Sequence, residues 1–186
     1  PVEGRHYTKL AQPVAVSAPP GKIEVVEFFS YGCPHCYALE PTLETWAKQL
    51  PADVVLKRVP VGFNALYENY QKIFYALEAM GQLDKMHQKV FNAIHQQRQR
   101  LDKEADIVAF MNANGVDGAK FMELYKSFTV QSKVRQAQQL TQAYKIEGVP
   151  TFGVQGRYTT SGSQAGSNER ALAVTDALVQ SVRKPA

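Results

Sequence analysis

A junction between two patterns limits the folds open to this chain. The run Ile23-Glu24-Val25-Val26-Glu27-Phe28-Phe29-Ser30 is nearly continuous in apolar residues. It reads as a strand covered on both faces, as in a mixed α/β sheet. Two residues later comes Cys33-Pro34-His35-Cys36, and the segment to Leu50 then carries a helical apolar pattern. Strand, short turn and Cys-x-x-Cys opening a helix is the context that makes this spacing a redox signal.

The physical argument starts at the helix end. With Cys33 as N-cap, its sulfur faces the N–H groups of His35 and Cys36, which have no acceptor inside the helix. Pro34 falls at the first helical position, where a missing N–H costs nothing. The positive end of the helix dipole favours a thiolate over a thiol, and a protonated His35 adds to that. A stabilised thiolate leaves easily, so a disulfide made by this pair is easily donated. These considerations make Cys33 the exposed nucleophile and Cys36 the buried resolver. They also predict a reduced form stabilised by its thiolate, which outweighs the small disulfide loop near pH 7 only if the Cys33 pKa falls far.

Two other uses of the pair compete with this reading. A purely structural disulfide would close a very small loop, with an entropic effect of roughly 2 kcal/mol. A zinc half-site needs further ligands, and His6, His87 and His95 lack metal-ligand spacing with the pair. Both are disfavoured, and no metal or organic cofactor is expected.

Of the 186 residues 45% are hydrophobic, enough for a sizeable core in one domain, with or without an insertion. No apolar run approaches the roughly 18 residues of a membrane span. The net charge of +4 is mild and spread out, which disfavours nucleic-acid binding. The densest basic stretch, Gln96 to Arg100, reads as a solvated helix end. The chain begins in a proline-spotted arm without a signal-peptide pattern, as a mature or trimmed product would.

Along the chain, Tyr7 to Leu10 reads as an edge strand and Pro19-Pro20-Gly21 as a turn. Val54 to Val59 reads as a strand parallel to the first. From Leu66 to Ile146 the pattern is helical, with stripes such as Leu66, Tyr70, Ile73, Phe74 and Leu77. His87 and His95 fall on these helices and read as structural. Thr151 to Val154 and Arg157 to Thr160 form a hairpin about Gly156. Ser161 to Ser167 reads as a loop, and Asn168 as the cap of a last helix.

The stretch Glu27-Phe28-Phe29-Ser30-Tyr31-Gly32-Cys33-Pro34-His35-Cys36-Tyr37 resembles the active-site signature of the DsbA family, periplasmic thiol:disulfide oxidases of the thioredoxin superfamily. Gly148-Val149-Pro150-Thr151 resembles that family's second loop, in which a cis-proline faces the disulfide and the preceding residue docks substrate. The likeness covers essentially the whole chain. It implies an α/β, thioredoxin-like fold formed by residues 1–63 and 145–186, with an all-helical insertion at 64–144. Pro41 inside the first long helix fits the kink that thioredoxin-like proteins often have there. The resemblance also implies a buried acid at Glu27 that relays the proton of Cys36. Lys57 matches a lysine near that acid, although an outward-facing strand lysine is as good a reading. Glu40, one turn beyond Cys36, is expected exposed, with at most a weak influence on the site. Gly32 stands where the best-known family member is bulkier, so the groove there is open to question.

The implied function is oxidation of dithiols in newly exported proteins by a periplasmic monomer, reoxidised by a quinone-linked membrane protein of the DsbB type. Competing readings are a reductase or isomerase on the same scaffold, or a peptide-binding chaperone without redox activity.

Overall fold

A computed structural model of the chain describes residues 1–183; the last three residues of the expected segment 145–186 lie outside them. The elements are β1 (Thr8–Lys9), β2 (Ile23–Phe29), α1 (Pro34–Lys48), β3 (Val54–Pro60), α2 (Ala65–Ala79), α3 (Leu83–His95), α4 (Glu104–Ala113), α5 (Gly118–Tyr125), α6 (Phe128–Ala143), β4 (Thr151–Val154), β5 (Tyr158–Ser161), α7 (Gly162–Ala165) and α8 (Asn168–Arg183). The strands form one sheet in the order β1-β5-β4-β2-β3.

The described residues fall into two compact units. One contains residues 1–29, 38–59 and 141 onward; the other contains 30–37 and 60–140. In the first, all seven residues of β2 are buried, Glu24 and Glu27 included, as its largely apolar run suggests. β2 pairs antiparallel with β4, and β4 with β5. The β4–β5 turn holds Gln155 and Gly156 at φ 51° and 66°, the left-handed pair that a tight hairpin of this hand needs. Ile23 and Val25 pack with Leu39 and Leu43 of α1, Phe152 and Val154 of β4, and Ala171, Leu178 and Val179 of α8. Trp46 closes this core from the side and donates its ring N–H to Asp176 at 3.0 Å.

In the second unit α2 packs on α3 and α5, and α4 packs on α5. The stripe residues Tyr70, Ile73, Phe74 and Leu77 are buried there, as are Met86, Val90 and Phe91. Asn64 caps α2 by accepting the Tyr67 N–H, and Asp117 caps α5.

Two local expectations are corrected. The 161–167 segment contains the short helix α7. The cap of α8 is Ser167, not Asn168: the Ser167 hydroxyl accepts the Arg170 N–H at 3.0 Å and its carbonyl accepts the Ala171 N–H. Ser and Asn are equally good caps, so sequence alone does not separate adjacent candidates.

Candidate active site

Cys33 sits immediately before α1. Its carbonyl accepts the Tyr37 N–H at 3.1 Å, and its Sγ accepts the Cys36 N–H at 3.3 Å. This is N-cap geometry with sulfur in place of the usual oxygen. Its pKa falls from 9.0 to about 6. A hydrogen bond from the Cys36 side chain is the main cause; burial opposes it, and the N–H groups of Cys36 and His35 and the charge of His35 lower it further. Pro34 and His35 are exposed. Cys33 is not: it is 5% exposed against 1% for Cys36, so the expected exposed nucleophile is only the more accessible of two buried cysteines.

Beside the turn lies α2. A side chain at Gly32 would place its Cβ 2.6 Å from the Tyr67 ring and 3.0 Å from the Tyr70 ring. Burial raises the Tyr67 pKa, and the charges of Cys33 and Cys36 add to that. Nothing local in the sequence marks Tyr67; only the capped start of α2 brings it to Gly32.

The turn is supported from below by α3. Tyr31 is fully buried, with its ring against Phe91 (5.0 Å) and His87 (5.1 Å). Its hydroxyl and His87 Nδ1 are hydrogen-bonded at 2.7 Å. These contacts explain why residues 30–37 group with the helices rather than with the sheet.

Glu27 is buried, as expected, at 2% exposure. Its cation is Arg58, not Lys57. Arg58 Nη1 lies 2.8 Å from both Glu27 Oε1 and Glu40 Oε1, and Nη2 lies 2.8 Å from Glu44 Oε1. Lys57 donates to the Ser17 hydroxyl at 3.3 Å, and Ser17 donates to Glu24, a second buried acid, at 2.6 Å. Successive side chains of a strand point to opposite faces, so Lys57 and Arg58 serve different acids. Glu40 is also corrected: it is 1% exposed. Burial pushes its pKa up to about 7, against the pull of Arg58 and with help from Glu44.

The Val149–Pro150 peptide bond is cis. In that loop Gly148 is exposed, Val149 is half-buried and Pro150 is buried. The Thr151 hydroxyl donates to the Gly148 carbonyl at 2.7 Å. Among the described residues no group of three His, Cys, Asp or Glu side chains is arranged to hold a metal ion, and no helix is long and apolar enough to cross a membrane.

The family model for the DSBA-like thioredoxin domain matches residues 55–168. The thiol:disulfide interchange protein DsbA of Burkholderia cepacia is 43% identical over 98% of this chain and 86% of its own length. That of Pseudomonas aeruginosa is 42% identical over the same shares. The crystal structure of Pseudomonas aeruginosa DsbA superposes with a TM-score of 0.93 at 41% identity, covering 98% of this chain and 94% of its own. A DsbA-type oxidoreductase from N. meningitidis gives 0.83 at 31% identity, over 98% and 94%. The chain therefore belongs to the DsbA family of thiol:disulfide interchange proteins, oxidoreductases with a thioredoxin-like α/β fold.

Proposed function

We propose that the chain is a protein dithiol oxidase whose working bond is the Cys33–Cys36 disulfide. A substrate thiolate attacks Cys33 Sγ; the substrate–Cys33 bond forms, the Cys33–Cys36 bond breaks, and Cys36 leaves as a thiolate that takes up a proton. A second substrate thiolate attacks the substrate sulfur of this mixed disulfide and expels Cys33 as a thiolate. The substrate loses two electrons and the enzyme gains them. The observation that carries this reading is the N-cap position of Cys33, where backbone donors hold its negative charge. A sulfur that is comfortable as an anion is a good leaving group.

In this reading Pro34 and His35 tune the turn, and Glu27, with Arg58 as its counter-charge, relays the proton that the Cys36 thiolate takes up. Gly148, Val149 and Pro150 dock an extended substrate segment by strand addition. Lys57 and Glu40 influence the site at most indirectly. Residues 64–144 are a helical insertion in a thioredoxin-like domain formed by 1–63 and 145–186. The protein works as a monomer in the periplasm on newly exported proteins, and a quinone-linked membrane protein of the DsbB type reoxidises it.

Oxidation of a fluorescent model dithiol peptide tests the central claim. Cys33→Ser should abolish it. A Cys33→Ser protein that still acts on reduced, unfolded substrates at the native rate would instead mark a peptide-binding chaperone.

A further inference from the structure

His87, Phe91 and His95 recur every four residues along α3 and so lie on one face. That face meets the two tyrosines that bracket the cysteine pair, Tyr31 and Tyr37. His87 and Phe91 hold the Tyr31 ring. His95 makes two contacts at once. Its Nε2–H donates to the Tyr31 carbonyl at 2.7 Å, and its ring stacks on Tyr37 at 4.8 Å with planes 18° apart. The next residue, Gln96, donates to the Tyr37 hydroxyl at 2.5 Å.

We propose that His95 is a positioning residue of the redox turn, clamping the chain on both sides of Cys33-Pro34-His35-Cys36. The inference rests on the reading of that pair as the redox centre. Between Tyr31 and Tyr37 run the bonds that place the nucleophile. The Cys33 N–H donates to Ser30, the Tyr37 N–H closes the first turn of α1, and the Cys36 N–H reaches Cys33 Sγ. Each depends on the 30–33 turn and the first helical turn keeping their mutual geometry. One imidazole fixes a backbone carbonyl in the first and an aromatic ring in the second. A charge held by oriented dipoles is sensitive to small displacements, because the donors are fixed by the backbone and do not follow it. Loosening the clamp should weaken the hold on the Cys33 thiolate and leave the fold in place.

The test uses three variants of the whole chain. His95→Gln keeps an N–H donor for the Tyr31 carbonyl, His95→Phe keeps only the stack, and His95→Ala keeps neither. Thiolate formation is followed by its ultraviolet absorbance against pH. The dithiol–disulfide balance is followed against glutathione buffers, and folding by urea melts. In His95→Ala the thiolate midpoint should rise by about one unit, and the equilibrium with glutathione should move about tenfold toward the enzyme disulfide. His95→Gln should lie nearest the parent and His95→Phe between. A folded His95→Ala protein with the parent's titration and equilibrium overturns the proposal. So does a result in which all three variants lose stability while the folded fraction of each keeps the parent's redox balance. A parent protein that exchanges with glutathione while its variants do not differ from it defeats only the clamp. A parent that neither exchanges nor shows a low-midpoint thiolate defeats the redox reading as well.

Discussion

The turn at Cys33 and the cluster at Arg58 stabilise negative charge in opposite ways. At Cys33 the work is done by hydrogen-bond donors and the helix end, and the pKa falls to about 6. At Arg58 one guanidinium faces three carboxylates, two of them nearly inaccessible, and the pKa of Glu40 climbs to about 7. Dipoles suffice for one anion at a helix terminus. A single cation does not offset the desolvation of two buried carboxylates and the repulsion of a third. Two groups of ordinarily distant acidity thus both titrate close to neutrality.

Removing the cation should break the second region most severely. Arg58→Met leaves Glu27 and Glu40 buried without it and should cost about 3–5 kcal/mol in a urea melt. Arg58→Lys should cost less. A loss under 1 kcal/mol would mean that both acids are already neutral.

The next effect concerns the thiolate. A lowered folded pKa contributes stability that is complete above the unfolded value of 9.0 and is lost as pH falls through about 6. With 1.36 kcal/mol per unit, the reduced form gains roughly 1 kcal/mol at pH 7 and roughly 4 by pH 9, before discounting for solvent screening. The small disulfide loop favours the oxidised form by roughly 2 kcal/mol. The reduced form should therefore overtake the oxidised one somewhat above pH 7, not at it. Melts of both forms at pH 6, 7 and 8.5 check this; a difference independent of pH would refute it.

Glu40 runs in the other sense. A raised folded pKa favours the fold below the unfolded value of 4.5, and that advantage is lost as pH rises toward about 7. Glu40→Gln should flatten this dependence by roughly 3 kcal/mol between pH 4.5 and 8. Calorimetric melts across that range measure it, and an unchanged slope would place the titration elsewhere. The smallest effect is expected at Gly32→Ala, which must displace the Tyr67 ring at a cost of about 1 kcal/mol. A melting temperature equal to the parent's would show that the ring moves freely.

Local patterns in the sequence were enough for the strand that ends at the turn, the N-cap role of Cys33, the start of α1 at Pro34 and most of the helical stripes. Such features depend on residues within a few positions of one another, and hydrogen-bond capping and periodic burial operate at that range. Burial of Glu27 was also expected, but only through the family resemblance. Its partner was not legible, because alternation shows that Lys57 and Arg58 face apart without showing which acid waits on which side. Glu40 looked like a surface acid because a lone carboxylate on a helix is usually solvated; its burial comes from packing around α1, which no local pattern records. Tyr67 and His95 lie 34 and 62 residues beyond Cys33, and only tertiary structure brings the one over Gly32 and the other against Tyr31 and Tyr37. The sequence by itself determined what chemistry the cysteine pair can do, because the helix end that shapes it is local. Tertiary structure decided what surrounds that pair and which cation meets the buried acids, because those contacts join segments that carry no information about each other until the chain folds.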